Sequence, residues 1–493
     1  MITEAQKISI GQRLSVGFDS FTIPEEYREL ISRYKVGNAI LFRRNVQSFA
    51  QLKALCDSIR ELILSETGHE PFIMIDEECG TVSRLAHVAA PTPCALAIGA
   101  TEDPENAYQI GRLIGQELRA VGLNLNLAPV LDCLTHPATA IGNRCFASEP
   151  EKVARFGAAY LRGLQETGVF ACAKHFPGHG DTAVDSHLAL PVADKPVEAI
   201  QSTELVSFQA AIDAGILGVM SSHVVYPSLD PERVPATLSR PIMTGWLREK
   251  MGFHGLILSD AIEMNAVKDM FGIPEGARRA LAAGSDVALI CHSAVDASLA
   301  CEHLYEALQT GGLDVEETEW HYRHILDMKK LLVPPAGDEA MFGSPAQKAL
   351  AAEIMKKSLC VAYAPQGRPL PAVDGQTLFL GLNAAAVTRA SDNIALDAAK
   401  ECTEAFHARR IQLDDPLPEN VRTAVVFLDR NPELEKAVSA ANRMAASGAD
   451  VIAVSMNVPM CLQGLDPTIW QIEAWQYDRL ALAPLMEMLK NGK

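Results

Sequence analysis

Residues 174–187 carry eight polar or titratable side chains in fourteen positions. The segment begins with Lys174 and His175, follows the apolar run 168–173, and contains glycines at positions 178 and 180. An apolar run that ends in charged residues and a glycine-containing loop is typical of a buried strand that delivers reactive groups at its carboxyl end. The sequence therefore predicts an active site at this point of the chain.

Two residues of this segment, Asp185 and His187, have the spacing of an acid/base pair. They are two positions apart, so in an extended backbone both side chains point to the same side. An imidazole with a carboxylate at one nitrogen is a competent general acid and base near neutral pH, because the carboxylate fixes its tautomer and raises its basicity. The pair is therefore chemically competent to transfer protons.

Short apolar runs recur before residue 333 and are mostly separated by amphipathic stretches of helical length. The runs are 36–42, 71–75, 123–127, 169–173, 216–220, 256–258 and 287–290. Strands that alternate with helices indicate parallel βαβ units, and about eight such units close into a (β/α)8 barrel of the TIM type. We therefore expect an α/β fold in which residues 1–333 form a catalytic barrel.

Polar side chains stand at or just after the ends of six of these strands. They are Asp76-Glu77-Glu78, Asp132, Lys174-His175, Ser222-His223, Asp260 and His292. The carboxyl ends of barrel strands converge on one mouth, where catalytic groups from different strands meet. A chance scatter of surface charges would place such residues at both ends of the strands, so the pattern favours a shared site.

A proline-rich stretch at residues 332–338 interrupts this pattern, and we expect a linker over 334–345. Beyond it, apolar runs at 376–381, 423–428 and 450–455 predict a smaller α/β layered domain over residues 346–493. This second region contains no strong candidate acid in a glycine-flanked loop. We interpret it as structural or as a surface for a partner.

Composition limits the class of protein and its partners. A chain of 493 residues exceeds what one core usually holds, which favours two domains. The net charge of −18, with no basic cluster, argues against nucleic acid and anionic membrane surfaces as partners. The first residues lack the features of a signal peptide, and the eleven scattered cysteines fit a reducing compartment. We expect a cytoplasmic protein whose partner is small or neutral.

Several segments resemble family 3 glycoside hydrolases, and more narrowly their bacterial β-N-acetylglucosaminidases. The most specific is the Lys-His-Phe-Pro-Gly-His-Gly-Asp-Thr run that starts at Lys174; the others are 40–45, 76–80, 126–132, 141–144 and 259–264. They occur in the order of the family over about residues 10–330. The resemblance implies a retaining exo-β-N-acetylglucosaminidase, without metal or cofactor, that acts on a small carbohydrate such as a GlcNAc-terminated glycan or a muropeptide in cell-wall recycling.

The resemblance also implies roles for residues. Asp260 becomes the nucleophile that forms a covalent glycosyl-enzyme, and Asp185 with His187 becomes the acid/base dyad. The residues implied for sugar binding are Asp76, Arg84, Arg144, Lys174 and His175. From spacing alone, Asp260 fits equally well a cap on a helix that begins at Ala261.

Other residues keep two interpretations. Arg84 and Arg144 bind sugar hydroxyls or form purely structural ion pairs. His179 contacts substrate or stiffens its loop, and His223 is a possible site residue for which a core position is the simpler interpretation.

The family usually has Gln at position 77, Gly at 79 and Ser at 145, where this chain has Glu77, Cys79 and Cys145. We expect these changes to alter the shape of the sugar pocket.

Besides another β-glycosidase of family 3, three alternatives to a retaining β-N-acetylglucosaminidase remain. A histidine acid leaves the mouth less negative than a glutamate would, so phosphate could replace water in a phosphorylase acting on a GlcNAc or glucose glycoside. A metal-dependent barrel hydrolase would use His175, His179, Asp181, Asp185 and His187 as ligands, although one loop would then supply nearly all of them. A non-catalytic sugar-binding module would not need the Asp185–His187 pair.

Overall fold

Eight parallel strands close into a barrel in the first part of the chain. The computed structural model describes residues 2–136, 139, 141–182, 190–381, 397–429 and 433–492. The barrel strands are β1 (Leu14–Val16), β2 (Asn38–Leu41), β3 (Ile73–Ile75), β4 (Leu125–Asn126), β5 (Phe170–Phe176), β6 (Gly218–Ser221), β7 (Leu256–Ala261) and β8 (Val287–Ile290). Each strand pairs in parallel with the next in chain order, and β1 pairs with β8 to close the barrel.

Helices surround this barrel on the outside. The α-helices are Glu4–Gln12, Glu25–Tyr34, Phe49–Thr67, Ala95–Ala100, Pro104–Val121, Pro150–Gln165, Val197–Ser202, Glu204–Asp213, Asn265–Ala283, Ala294–Thr310 and Val315–Lys329, and Pro241–Lys250 is a π-helix. Helix Pro104–Val121 shows why they form here: Asp103 caps its first turn, proline occupies its start, and its apolar residues lie on the buried face. None of the described helices is long and apolar enough to cross a membrane.

Alternate residues of the strands point to opposite sides of the barrel wall. Met74, Phe170, Cys172 and Leu258 belong to a cluster that fills the barrel interior. Their strand neighbours, such as Ile75 and Ala171, belong to the larger cluster beneath the surrounding helices. This period of two is the expected consequence of strand geometry, and it leaves the strand ends free to carry polar groups.

A second sheet of six strands follows the barrel. Its strands are β9 (Cys360–Tyr363), β10 (Leu378–Leu380), β11 (Arg409–Ile411), β12 (Thr423–Leu428), β13 (Asp450–Ser455) and β14 (Trp470–Glu473), in the order β9-β14-β13-β12-β10-β11. Among the described strands of this sheet, β9 alone is antiparallel to its neighbour. Its helices are Pro345–Ser358, Ala398–Phe406, Leu434–Ala446 and Arg479–Asn491. The predicted TIM-type barrel with a smaller α/β domain is confirmed, whereas the exact domain boundaries stay a prediction.

Candidate active site

The polar residues predicted at strand ends lie at one end of the barrel, because all eight strands are parallel. Lys174 and His175 belong to the last part of β5, which extends from Phe170 to Phe176. Asp76 directly follows β3, and Asp260 lies near the end of β7. This end of the barrel is therefore the candidate active site.

Lys174 is a buried ammonium held between two carboxylates. Its Nζ lies 2.6 Å from Oδ1 of Asp76 and 2.6 Å from Oε1 of Glu78. Burial alone would lower the pKa of Lys174, but the two carboxylates outweigh it and raise that pKa. Lys174 is therefore a charged donor fixed at the floor of the mouth.

Glu78 also binds Arg144 through a two-pronged ion pair. Nε and Nη2 of Arg144 lie 2.8 and 2.7 Å from the two carboxylate oxygens of Glu78. Burial alone would raise the pKa of Glu78, but Arg144 and Lys174 together hold it well below its usual range. Nη2 of Arg144 also lies 3.5 Å from Nε2 of His175, so the guanidinium bridges two parts of the site.

The carboxylate of Asp132 orients the imidazole of His175. Oδ2 of Asp132 lies 2.7 Å from Nδ1 of His175, and its Oδ1 accepts a hydrogen bond from the main-chain N–H of His179 at 2.6 Å. Burial opposes ionisation of Asp132, but the interaction with His175 outweighs it and lowers its pKa. With Nδ1 engaged by Asp132, Nε2 is the ring nitrogen of His175 that faces Arg144.

Arg84 comes close to Asp76 from a short hairpin. The hairpin strands are Glu77–Cys79 and Val82–Ser83, and Nη2 of Arg84 lies 3.9 Å from Oδ2 of Asp76. The Glu77 carboxylate accepts hydrogen bonds from the main-chain N–H groups of Arg84 at 2.7 Å and Leu85 at 3.0 Å. These two hydrogen bonds fix the main chain at Arg84, and with it the position from which the Arg84 side chain extends towards Asp76.

Asp260 is a partly exposed carboxylate within β7, and the helix that follows begins only at Asn265. The alternative that Asp260 caps a helix beginning at Ala261 is therefore wrong: the strand continues through Ala261 and delays the helix start. Oδ1 of Asp260 accepts a hydrogen bond from the N–H of Ala261 at 2.7 Å.

His223 is fully buried, with Nε2 2.9 Å from the carbonyl oxygen of Ala261, so it supports the backbone beside Asp260.

His179 makes contacts within its own loop and to the segment that follows β4. Its Nδ1 lies 3.0 Å from Oγ1 of Thr182, and its carbonyl oxygen accepts a hydrogen bond from Thr139. Burial, and then the neighbouring His175, lower the pKa of His179 to about 4. These contacts favour the interpretation that His179 stiffens the loop.

The predicted dyad, Asp185 and His187, lies outside the described residues. Two of the five ligands of the metal hypothesis therefore also lie outside the described residues. Within the described ranges, no group of three or more His, Cys, Asp or Glu side chains is arranged to hold a metal ion. Asp181 instead lies 2.9 Å from the ammonium of Lys195.

Sequence reasoning gave no role to Glu78 and Asp132, which connect the other site residues. Both were recognised as polar residues near strand ends, but their partners are distant in sequence: Arg144 is 66 residues from Glu78, and His175 is 43 residues from Asp132. The usable signal was their position at the same end of the barrel as the basic residues. Buried cations and imidazoles at that end require buried carboxylates.

The two cysteines that replace the residues usual in the resembled family, Cys79 and Cys145, are buried near the site. Cys79 has a φ of 118°, a backbone conformation that favours glycine. Cys145 follows Arg144, and its thiol donates to the carbonyl oxygen of Gly142 at 3.2 Å. Burial raises the pKa of both thiols, so they are neutral packing groups behind the site.

Comparison with known proteins places the chain in a family. The profile described as "Glycosyl hydrolase family 3 N terminal domain" matches residues 6–328. The chain is 34% identical to beta-hexosaminidase A of Pseudoalteromonas piscicida over 360 residues, which are 68% of this chain and 60% of that protein. The chain thus spans less than two thirds of that relative.

Two solved structures are also similar. A glycoside hydrolase family 3 beta-N-acetylglucosaminidase from Paenibacillus sp. str. FPU-7 superposes with a TM-score of 0.88 at 29% identity, over 100% of this chain and 97% of that chain. NagZ from Neisseria gonorrhoeae, in complex with N-trifluoroacetyl-D-glucosamine, superposes with a TM-score of 0.59 at 31% identity, over 70% of this chain and 97% of that chain. Together with the profile match, these similarities show that the chain belongs to glycosyl hydrolase family 3 and is a glycoside hydrolase.

Proposed function

We propose that this protein is a retaining, exo-acting β-N-acetylglucosaminidase that removes terminal β-linked GlcNAc. The observation that carries the proposal is the set of fixed donors and acceptors around Lys174, in the same barrel mouth as the partly exposed carboxylate of Asp260. The relative and the solved structures named for β-hexosaminidase and β-N-acetylglucosaminidase activity support the choice of sugar.

In the proposed first step, a carboxylate oxygen of Asp260 attacks the anomeric carbon. The bond from that carbon to the leaving oxygen breaks, and His187 gives this oxygen a proton. In the second step His187 takes a proton from water, whose oxygen attacks the anomeric carbon and releases Asp260. Two displacements at one carbon retain its configuration. Asp185 orients the imidazole of His187 in both steps.

The groups around Lys174 bind the sugar in this proposal. Lys174, Arg144 and His175 donate hydrogen bonds to sugar hydroxyls, and Asp76 accepts them. Arg84 reaches the same hydroxyls from its hairpin. Their ion pairs hold them in place before the sugar arrives, so little reorganisation is needed in the transition state.

The test is parallel turnover of chromogenic β-GlcNAc, β-glucoside and β-xyloside substrates, with and without phosphate. We expect β-GlcNAc to be hydrolysed fastest, with a rate that is independent of phosphate and unchanged by prolonged chelation. A glycosyl phosphate product would instead identify a phosphorylase. Loss of activity on chelation, with recovery on adding zinc, would favour a metal-dependent hydrolase.

We further propose GlcNAc linked to a muramic-acid unit as the natural substrate class, with chitin oligosaccharides as the competing class. The expected cytoplasmic location and role in cell-wall recycling belong to the same proposal. Competition between a muropeptide and a chitin oligosaccharide for the chromogenic β-GlcNAc reaction distinguishes the two classes. A lower inhibition constant for the chitin oligosaccharide would contradict the first choice.

A further inference from the structure

The second domain reaches the edge of the candidate active site through residues 474–478, the 474–478 loop. Trp475 and Gln476 follow β14 and are almost completely buried. The side-chain oxygen of Gln476 accepts a hydrogen bond from the main-chain N–H of Cys94 at 2.5 Å. The carbonyl oxygen of Trp475 accepts a hydrogen bond from the side-chain amide of Asn143 at 2.8 Å. The Cys94 thiol also donates to the Trp475 carbonyl at 3.6 Å, and the Gln476 amide donates to the Thr92 carbonyl at 3.4 Å. The loop therefore contacts the barrel at residues 92–94 and at Asn143.

The backbone of this loop is strained where it meets the barrel. Trp475 has a φ of 66°, a conformation that a bulky side chain rarely adopts. Its indole N–H donates to the carbonyl oxygen of Ser358 at 2.7 Å, which anchors the ring in the second domain. A strained residue persists only where its surroundings hold it, and such positions concentrate at functional sites. In this conformation the Trp475 carbonyl reaches the Asn143 amide.

Asn143 is the neighbour of Arg144 in the short 3-10 helix Gly142–Arg144. Its side chain is buried and bonded at both ends. The amide donates to the Trp475 carbonyl, and the amide oxygen accepts a hydrogen bond from Oγ1 of Thr81 at 3.3 Å. The position of Asn143 therefore depends on the second domain and on the hairpin that carries Arg84.

From Asn143 a continuous polar chain leads to the sugar-binding groups. Arg144 binds Glu78 through two hydrogen bonds, and Glu78 lies 2.6 Å from the ammonium of Lys174. Lys174 in turn binds Asp76. A shift of the Gly142–Arg144 turn would move the guanidinium and the carboxylate that depends on it.

We infer that the second domain positions Arg144 for sugar binding through the hydrogen bond from Asn143 to the Trp475 carbonyl. Asn143 is a positioning residue, since it acts through Arg144 and touches no reacting atom. The inference rests on the proposed function, in which Arg144 binds the sugar. It gives the second domain a role in substrate binding that the barrel sequence alone does not indicate.

The test compares two isosteric substitutions in the full chain. Asn143→Asp keeps an oxygen for Thr81 but loses the N–H that binds the Trp475 carbonyl. Asn124→Asp is the matched control: the Asn124 amide donates to the carbonyl oxygen of Pro71 at 3.0 Å, just before β4 at the opposite end of the barrel. Both variants are measured well below their unfolding temperatures, on whichever glycoside of the panel the wild type turns over best.

We expect Asn143→Asp to raise KM and to lower kcat/KM by about 10-fold to 100-fold, the cost of misplacing a binding group by about 1 Å. Asn124→Asp should lower the unfolding temperature and leave both constants unchanged. Asn143→Ala, which removes the donor without adding a charge, should show a loss of the same kind and replaces the aspartate variant if that does not fold.

Three outcomes would overturn the inference. They are unchanged kinetic constants in a folded Asn143→Asp variant, an equal loss in the Asn124→Asp control, and failure of both Asn143 variants to fold, which would make the bond a folding determinant. Failure of the proposed function is recognised separately, because it shows in the substrate preference of the wild type. The comparison of variants still applies to the glycoside that the wild type prefers.

Discussion

Lys174, Glu78 and Arg144 form a buried charge network in which each group depends on the others. Each side chain is less than 8% exposed, and charges buried to this degree are costly unless they are paired. The network also leaves Asp76 and Asp260 as its more accessible neighbours, since both are only partly buried. At the scale of single residues, the ion pairs hold Lys174 and Arg144 in place for the proposed sugar binding, and the two aspartates are the more accessible groups beside them.

The first prediction concerns Asp260 as the covalent nucleophile. Asp260→Ala should abolish turnover without preventing folding, because the side chain is partly exposed at the end of β7. A 2-deoxy-2-fluoro or 5-fluoro glycosyl reagent should label Asp260 in the wild type, since fluorine slows the release of the glycosyl-enzyme. Peptide mapping identifies the labelled residue, and a label on another carboxylate would refute the assignment.

The second prediction concerns His187 as acid and base. His187→Ala should slow the reaction of substrates with poor leaving groups by about 10²-fold to 10⁴-fold, the usual contribution of a general acid. An activated aryl group leaves without full protonation, so its first step should suffer less and the glycosyl-enzyme should accumulate as a burst. Asp185→Ala should show a weaker form of the same behaviour. Stopped-flow release of the aryl group measures the burst, and equal losses for good and poor leaving groups would contradict the role.

At the scale of elements, the hairpin after β3 connects the site to an unusual carboxyl group. Glu77 is buried, and burial raises its pKa to about 7, although hydrogen bonds from Ser83 and from the main chain of Leu85 and Arg84 oppose the shift. Family 3 glycoside hydrolases usually have Gln at this position, and its side-chain oxygen can accept the same hydrogen bonds without carrying a charge. The hairpin of this chain therefore carries a group that titrates near neutral pH.

The third prediction follows from this shift. The folded-state pKa of Glu77 lies above its ordinary value of 4.5, so its contribution to stability is complete below about pH 4.5 and is lost as pH rises through about 7. Glu77→Gln should therefore stabilise the protein by about 1 to 3 kcal/mol at pH 8 and by little at pH 5. Denaturant unfolding at both pH values measures the difference.

The control for this prediction is Glu61→Gln, which changes an exposed glutamate on helix Phe49–Thr67. It should leave the pH dependence of unfolding unchanged. A Glu77→Gln variant with the same difference in stability from wild type at pH 5 and pH 8 would show that Glu77 titrates outside this range.

Most barrel strands could be predicted from the sequence, because each lies in a short run that is wholly apolar or, as at 36–42 and 123–127, apolar with one or two asparagines. The exception is β1, whose three residues include Ser15 and form no recognisable run; its place is fixed only by pairing with β2 and β8. In the second sheet three of the four interior strands, β10, β12 and β13, were predicted, whereas the two edge strands β9 and β11 and the interior strand β14 were missed. Residues 409–411, Arg-Arg-Ile, form an edge strand that lacks the apolar signal of a buried strand. Residues 360–363, Cys-Val-Ala-Tyr, form an edge strand that is apolar in sequence but mostly exposed, so its run was a usable signal.

The site could be predicted only in part, because contacts between residues distant in sequence leave no signal in a single sequence. Strand-end position indicated Asp76, Lys174, His175 and Asp260, because parallel strands bring their carboxyl ends together. The pairing of Lys174 with Asp76 joins residues 98 positions apart and is set by barrel geometry. A single sequence contains no direct signal for such a contact.

At the scale of the whole molecule, the two parts of the chain share a core. One apolar cluster contains Leu96 and Ile141 from the barrel part together with Leu380 and Trp475 from the second part. Helix Pro345–Ser358 also packs against helix Ala95–Ala100. Neither part can be separated from the other without exposing these side chains to water, which costs about 25 cal/mol for each Å² of apolar surface.

The last prediction is that the full chain unfolds in one cooperative transition. Leu485 lies in helix Arg479–Asn491, in a cluster confined to the second part, and Leu52 lies in the barrel cluster. Each is buried, so Leu485→Ala and Leu52→Ala should each cost about 2 to 5 kcal/mol through the cavity left behind. Because the shared core couples the two parts, both variants should lower the midpoint of the same single calorimetric peak. Two resolved peaks in the wild type, or a Leu485→Ala variant that moves only part of the heat absorption, would show that the parts unfold independently.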